Sequence, residues 1–230
     1  MAVCALTTAA TTLVVHILPW LWADVDTFED RLSLPHNALY MGRLWVVLLH
    51  CFLVVVSMSG IAALKFRDSP ALIGLGFLSF VVFAFSEILR TSLVLFALNR
   101  KWRLGYINAK DDSTRASLRA TIEAFGGIND ALFFIFYAAF FVGILCYGLA
   151  LIGSAGFDGK LGWLLLLWSA LNVPGLIDTF TGRDLFSPFF EWVGPFFQPA
   201  ARVVIGIWLW TRGNATAAAL TTNEYENSRT

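Results

Sequence analysis

Six stretches of the chain are almost wholly apolar, and each approaches the roughly 20 residues that a helix needs to cross a bilayer. None shows the alternation of apolar and polar positions that is typical of transmembrane β-strands. Because lipid offers no partner to backbone N–H and C=O groups, a helix is the structure that satisfies each stretch internally. The predicted spans cover about residues 6–23, 44–64, 71–98, 128–152, 161–177 and 192–210.

The first and last spans need a separate argument. The first lies where a signal peptide would lie, but it lacks the basic residues that precede the apolar core of such peptides, so we expect an uncleaved helix. The sixth contains Pro195 and Pro199. Because proline removes a backbone donor, this span is expected to enter the membrane as a broken helix.

The long polar connection between spans three and four has the pattern of an amphipathic helix over about residues 113–126, lying on the membrane surface. Apolar positions share one face of this helix: Leu118, Ile122 and Phe125. Charged positions share the other: Arg115, Arg119 and Glu123. A plain solvated connector is the alternative. After the last span, residues 213–230 form a polar tail that we expect to be disordered.

Composition excludes the other broad classes of protein. Hydrophobic residues make up 58% of the chain against about 45–50% in soluble domains, and charged residues 14% against roughly 25%. The 16 basic and 16 acidic residues cancel. Aromatic residues lie in the spans rather than among basic ones, so no nucleic-acid partner is expected. The prediction is an all-α polytopic membrane helix bundle, with a six-span domain over residues 1–212 followed by the tail.

The distribution of Lys and Arg predicts an orientation in the cell membrane. Nine of these residues fall in the first, third and fifth loops, and five fall on the opposite side. Since cytoplasmic loops carry the excess of Lys and Arg, these three loops are expected in the cytoplasm and both termini outside. The nine are Arg31, Arg43, Arg100, Lys101, Arg103, Lys110, Arg115, Arg119 and Arg183.

Ionisable and amide side chains within the spans are the informative residues, because a charge near the bilayer centre costs about 2.5–3.5 kcal/mol on insertion scales. Glu87 and Arg90 lie three apart in span three, so they share a helix face and can pair. The other polar residues in the spans or at their ends are His16, His50, Asn129, Asp130, Asn172, Gln198 and Arg202.

Most of these side chains share a depth. Counted at 1.5 Å per residue, they fall about 9–18 Å from the membrane face that carries the first, third and fifth loops. Successive helices run in opposite directions, so sequence spacing does not force this agreement. It predicts one polar layer that opens to a single side. The predicted ligand-binding residues in this layer are Glu87, Arg90, Asp130, Asn172, Gln198 and Arg202.

Each of these residues also has a purely structural interpretation, in which it stabilises the bundle or its contact with lipid. The structural alternatives are an ion pair between Glu87 and Arg90, hydrogen-bonded core histidines at His16 and His50, a headgroup contact of Arg202, and a helix cap at Asp130.

The polar layer favours a protein that binds or passes a small molecule or lipid, and an anionic headgroup or carboxylate suits Arg90 and Arg202. A structural or accessory subunit of a larger membrane complex is the alternative, with contacts to partner subunits in place of a ligand. An intramembrane enzyme is a further alternative, with Glu87 or Asp130 as general acid or base.

The two histidines allow one cofactor. His16 and His50 lie at similar depth on adjacent spans, as the two axial ligands of a b-type haem would. Apart from this alternative, no cofactor and no metal site is predicted. The chain has no phosphate loop, no GxGxxG between a strand and a helix, and no HExxH motif.

Four features of the chain occur in a fixed order. They are Gly42-Arg43 at the start of span two, Glu87 and Arg90 in span three, Gly127-Ile128-Asn129-Asp130 opening span four, and the closing Arg202-Val-Val-Ile-Gly-Ile-Trp-Leu-Trp-Thr-Arg-Gly213. Together they resemble a widespread bacterial family of six-span integral membrane proteins to which no function is assigned. The resemblance implies a membrane-protein class and little chemistry.

Overall fold

The computed structural model describes the backbone of residues 1–21, 25, 27–183 and 187–227, and in the last of these ranges the side chains of residues 194–215. Within this part the chain is helical and contains no strand, so the predicted all-α class is confirmed. The α-helices are α1 (Ala2–Ile17), α2 (Phe28–Ser33), α3 (Ala38–Lys65), α4 (Pro70–Ser92), α5 (Leu104–Asn108), α6 (Asp112–Leu151), α7 (Phe157–Thr181) and α8 (Ser187–Asn227). A π-helix, Leu93–Arg103, joins α4 to α5.

Polar side chains mark where helices begin. The side-chain oxygen of Asn37 accepts hydrogen bonds from two backbone N–H groups in the first turn of α3, at 3.0 and 3.1 Å. Asp111 accepts a bond from the Thr114 N–H at 2.8 Å where α6 begins. Hydrogen bonds from the Ser113 hydroxyl and from Thr114 lower the pKa of the Asp111 carboxyl to about 2. These caps supply acceptors for donors that the helix itself leaves unpaired.

The six long helices form a closed ring. Each packs against the next in the order α1, α3, α4, α6, α7 and α8, and α8 closes the ring against α1. Aromatic side chains fill the centre, where the Phe80 ring lies 6.0 Å from Phe140 and 5.4 Å from Tyr147 between centroids. The Tyr147 hydroxyl donates to the Met58 carbonyl at 3.1 Å, which ties α6 to α3.

The outer surface of the ring is apolar. Large side chains such as Phe85, Trp163 and Phe180 are 67%, 64% and 80% exposed. Contiguous apolar surface of this kind marks contact with a membrane or a partner rather than with water. Five stretches of the described chain are long and apolar enough to cross a membrane: Ala2–Leu21, Ala38–Lys65, Pro70–Asn108, Asp112–Leu151 and Phe157–Thr181. The protein is therefore a multi-pass membrane helix bundle.

The sixth predicted span, residues 192–210, lies within α8 and is not one of those five stretches, so the count of six is approximate. The described backbone of α8 stays helical through Pro195 and Pro199, and the expected break does not occur there. The helix continues to Asn227, so the tail is helical over its described part rather than disordered. The predicted end of the first span, at residues 22–23, falls outside the described residues.

The predicted amphipathic helix and the fourth span form a single 40-residue helix, α6. Residues 113–126 are its first turns and run directly into the apolar part. Gly126 and Gly127 mark the expected boundary, but each glycine costs a helix only about 1 kcal/mol, which the packed turns beyond them offset. The amphipathic segment is helical as predicted, and it is continuous with the span that follows.

An ion-pair cluster seals one end of the ring around Asp158, in the first turn of α7. Asp158 is 4% exposed. Its carboxylate accepts a hydrogen bond from Trp208 Nε1 at 2.8 Å and pairs with Lys65 Nζ at 2.6 Å and with the Arg212 guanidinium. The cluster joins α3, α7 and α8. We call this the sealed end, defined by Lys65, Asp158, Trp208 and Arg212.

Glycine residues let the helices approach closely near the sealed end. A Cβ at Gly162 would lie 2.6 Å from the backbone nitrogen of Ile152. A Cβ at Gly76 would lie 2.5 Å from the buried ring of Tyr147. A larger side chain at either position would have to displace its neighbour. In this half of the bundle, α7 therefore packs against the backbone at the end of α6, and α4 packs directly against a ring on α6.

Candidate binding pocket

A pocket of about 1010 Å³ lies inside the ring at the end opposite the sealed end. Side chains from all six long helices and from α2 line this pocket, which we call the open end. The lining includes every residue predicted to bind a ligand, together with the two histidines: His16, His50, Glu87, Arg90, Asp130, Asn172, Gln198 and Arg202. The fold brings these residues together, and their binding of a ligand stays a prediction.

Glu87 and Arg90 form a bidentate ion pair on α4. Arg90 Nε donates to Glu87 Oε2 at 2.7 Å, and Arg90 Nη2 donates to Glu87 Oε1 at 2.5 Å. The remaining terminal nitrogen, Nη1, donates to Asn129 Oδ1 on α6 at 3.2 Å. The guanidinium also lies 5.8 Å from the centroid of Phe133. The pair predicted from the spacing is therefore present. The bond from Arg90 to Asn129 joins α4 to α6. Because the two charges of the pair cancel, it adds almost no net charge to the pocket.

Arg202 occupies a different environment on α8. It is 2% exposed, and its Nε and Nη1 atoms have no hydrogen-bond partner among the described residues. The guanidinium lies 5.5 Å from the Trp168 ring centroid and 5.9 Å from that of Phe140. The side chain is therefore held inside the bundle between aromatic faces, and it does not extend to the membrane surface as the headgroup alternative required.

The two histidines line the pocket from α1 and α3. His50 Nδ1 and Thr11 Oγ1 share a hydrogen bond of 2.7 Å, which joins these two helices. The histidine rings are close enough to each other and to Arg202 to interact electrostatically. A hydrogen-bonded core histidine at position 50 is thus what the structure contains. Across the described part of the chain, no three His, Cys, Asp or Glu side chains are grouped as a metal site would need.

Arg43 also lines the pocket, although the sequence pattern predicted no binding role for it. Its Nε donates to the Val15 carbonyl on α1 at 2.9 Å, and the side chain lines the pocket. Arg43, Val47 and His50 follow the i, i+4, i+7 spacing of one helix face. The sequence therefore contained a signal for this position, because the spacing puts Arg43 on the same face of α3 as His50 of the polar layer.

The remaining predicted residues hold three different positions. Asn172 is 4% exposed and donates from Nδ2 to the Trp168 carbonyl at 2.6 Å, and the Tyr137 hydroxyl donates to its backbone carbonyl at 3.3 Å. Gln198 is partly buried in the wall formed by α8. Asp130 is exposed and lies mid-way along α6. It does not cap a helix, because α6 begins far upstream of it.

Positively charged side chains outnumber negatively charged ones around the pocket. Six arginines line it: Arg31, Arg43, Arg90, Arg103, Arg183 and Arg202. Four carboxylates line it: Glu87, Glu123, Asp130 and Asp178. Residues at the rim come from the first, third and fifth connections of the chain. The pocket thus has an arginine-rich lining that reaches from those connections into the bundle.

Helix geometry places Arg202 at the inner end of the pocket. Arg202 precedes Arg212 of the sealed end by ten residues, which is about 15 Å of α8. Trp168 follows Asp158 by the same number of residues on α7. Arg90 lies twenty residues, or about 30 Å, from the start of α4 at Pro70. The unpaired guanidinium is therefore deeper in the bundle than the Glu87–Arg90 pair.

No protein-family model, no curated protein and no solved structure matches the chain. The resemblance to a bacterial family of six-span proteins therefore stays a prediction that rests on the residues named for it. The membrane assignment rests on the long apolar helices, and what is said of the pocket rests on its geometry.

Proposed function

We propose that this membrane protein binds or passes a small molecule or lipid in the pocket at the open end. The observation that carries the proposal is convergence, because polar side chains from six separate helices meet around one space. A polar side chain within a membrane-spanning helix is costly, and such residues usually mark a ligand or ion site. A bundle that only had to pack could fill the same positions with apolar residues.

The size and lining of the pocket suit an organic ligand. Ligand sites commonly enclose about 300–1,000 Å³ and combine apolar walls with a few placed polar groups. Here the aromatic wall includes Phe83, Phe136 and Phe140, and the polar groups are the arginines, amides and carboxylates described above. A molecule with both an apolar and a polar part would use both kinds of surface.

The pocket faces the connections that carry most of the Lys and Arg residues, so the proposal places its mouth toward the cytoplasm. Binding needs only this opening. Passage across the membrane also requires the closely packed half to open, because buried aromatic side chains fill the centre and the Asp158 cluster holds three helices together at the sealed end. We therefore propose binding as the basic activity, with passage as the case in which that cluster opens.

The alternatives make distinct predictions. For an enzyme, Asp130 is the better general base, because Arg90 occupies both oxygens of Glu87. For a haem protein, His16 and His50 would give the purified protein a Soret band. For an accessory subunit, stoichiometric partners would co-purify with the chain.

A pocket-filling variant tests the proposal. Within the described part of the chain, the neighbour of a Cβ at Gly194 is His16 Cε1, at 3.7 Å, so Gly194→Phe places a ring among the pocket residues. Gly127→Phe is the matched control, since this helical glycine is exposed and a Cβ there has no neighbour within 4 Å. Native mass spectrometry in dodecyl maltoside, after incubation with a total lipid extract, reads out what each protein retains.

We expect the unmodified chain and Gly127→Phe to retain the same molecule, and Gly194→Phe to lose it. Equal retention by all three proteins would place any binding outside the pocket. Retention of nothing by the unmodified chain would contradict the proposal.

A further inference from the structure

Arg202 lies where no described protein group neutralises it. Its Nε and Nη1 are buried without a hydrogen-bond partner. The nearest pocket carboxylate on α4, Glu87, is committed to Arg90 through both of its oxygens. The charge of Arg202 therefore has no counter-ion within the part of the bundle that the structure describes.

The aromatic rings around Arg202 supply only part of what a buried guanidinium needs. Trp168 and Phe140 attract the cation through their faces at 5.5 and 5.9 Å. They present no carboxylate or carbonyl oxygen to its five N–H donors. A buried charge whose donors lack hydrogen-bond partners destabilises the folded protein, so Arg202 calls for an acceptor other than the described side chains.

We propose that Arg202 recognises an oxyanion, a carboxylate or a phosphate, on the ligand that occupies the pocket. This inference rests on the proposed function and names the chemical class of its ligand. The planar guanidinium fork matches the two oxygens of a carboxylate or phosphate with parallel hydrogen bonds. The rings of Trp168 and Phe140 hold the fork in position and keep water from its faces.

The rest of the pocket agrees with an anionic ligand. Arg43 also lines it, and the hydrogen bond of its Nε goes to a neutral carbonyl rather than to a carboxylate. An anion entering from the rim thus meets arginines at successive depths and ends beside Arg202, whose Nε and Nη1 lack a partner among the described residues. A neutral or cationic ligand would leave the Arg202 charge uncompensated.

Binding to the purified protein in uncharged dodecyl maltoside tests the inference. The probes are acetate and inorganic phosphate as free anions, oleate and lysophosphatidate as lipid-borne anions, and monoolein as the uncharged comparison. We expect at least one anion to bind, and Arg202→Gln to weaken its binding roughly 30-fold or more. Arg202→Lys keeps the charge without the fork and should fall between the two.

Arg67→Gln is the matched control, because Arg67 is exposed in the turn between α3 and α4, far from the pocket. It should leave binding of every probe unchanged. If acetate or phosphate binds as tightly as oleate and lysophosphatidate, the ligand is a soluble anion. If only the two lipids bind, the ligand is a lipid with an anionic headgroup. Both results support the inference.

Three results would overturn it. One is that no anion binds the unmodified chain, and another is that anions bind it and Arg202→Gln equally. The third is that monoolein alone binds, in a manner sensitive to Gly194→Phe. In that third case the pocket function survives and the role of Arg202 does not, so the two failures are distinguishable.

A stability measurement separates recognition from a structural role. If Arg202 is retained for a ligand, Arg202→Met removes an uncompensated charge, and the ligand-free protein should melt about 2–4 °C higher. The stabilisation by added anion should vanish at the same time. If Arg202 instead holds the bundle together, Arg202→Met melts lower and keeps its response to anions. If the variant does not fold, Arg202→Lys decides, since it must retain part of the response.

Discussion

The two ends of the bundle treat a buried charge in opposite ways. At the sealed end, Asp158 in the first turn of α7 meets two cations and an indole N–H from α3 and α8. At the open end, Arg202 is as deeply buried, and among the described side chains it meets aromatic faces rather than a carboxylate. The same ring of helices is thus able to surround a buried charge with partners, so the lack of described partners at Arg202 is not a limit of the fold.

The helices also pack more closely at the sealed end than at the open end. Near the sealed end, glycines such as Gly162 and Gly76 bring neighbouring helices into contact. At the open end the same helices surround about 1010 Å³ of space. One half of the bundle is thus closely packed and the other leaves space open, and the following changes test each half.

The largest effect is expected from Asp158→Asn at the sealed end. The change removes the carboxylate that Lys65 and Arg212 share. Lys65 keeps its pairing with Asp68 and the Arg212 side chain is 44% exposed, so the expected cost is about 2–3 kcal/mol, below that of a fully buried pair. The free energy of unfolding, measured by denaturant titration in mixed micelles, should fall by that amount. Asp68→Asn is the control, because Asp68 is exposed and its pairing with Lys65 contributes at most about 1 kcal/mol. Equal effects of the two changes would show that the cluster is not what closes this end.

Gly162→Ala tests the close packing beside that cluster. The added Cβ would meet the backbone of Ile152 at 2.6 Å, and overpacking of this kind costs about 1–3 kcal/mol. Gly127→Ala is the matched control on α6, where a Cβ has open space around it. It should stabilise the helix by about 0.5–1 kcal/mol, so the two melting temperatures should move in opposite directions. Movement in the same direction would contradict the packing difference.

Glu87→Gln probes the open end with a smaller expected effect. Arg90 loses its counter-ion, but its side chain is 24% exposed to the pocket, where water replaces part of the lost interaction. We expect a loss of about 1 kcal/mol in the free energy of unfolding. The comparison is Glu123→Gln, which breaks an exposed pair with Arg119 of 2.9 Å and should change stability less. A loss as large as that of Asp158→Asn would mean that the open end is as rigid as the sealed one.

The smallest effect is a pH dependence at the first turn of α6, outside both ends. The pKa of Asp111 is lowered to about 2, so its contribution as a cap is present above its ordinary value of 3.8 and is lost as the pH falls through about 2. Amide exchange in this turn, corrected for the intrinsic rate, should therefore speed up between pH 4 and pH 2. Asp111→Asn keeps a capping side chain that does not titrate and should remove the difference. An unchanged acceleration in that variant would assign the effect to another group.

The helices of this fold were predictable because their cause is local. A run such as residues 44–64 is apolar throughout, and lipid leaves a helix as its only satisfied structure. Boundaries were less predictable, because they depend on packing. The continuity of α6 through Gly126 and Gly127, and of α8 through two prolines, comes from neighbouring helices that the sequence does not show.

The candidate pocket was predictable to the extent that depth could be counted. The residue count put Glu87, Arg90 and Gln198 at a similar depth in the bilayer, and the fold places all three around one space. Partners were not predictable in the same way. Nothing in the sequence pairs Asp158 with Lys65 and Arg212, which lie 93 and 54 residues away along the chain, because that pairing depends on which helices become neighbours and how each is rotated.

The length of α6 has a mechanical consequence. This helix provides exposed turns above the pocket mouth and, further along, the aromatic wall that includes Phe133 and Tyr137. An unbroken rod transmits tilt along its whole length. A force applied to the exposed turns, by a lipid surface or an attached domain, would tilt the whole helix and move the aromatic wall. The glycine-packed half of the bundle would be the end that stays fixed.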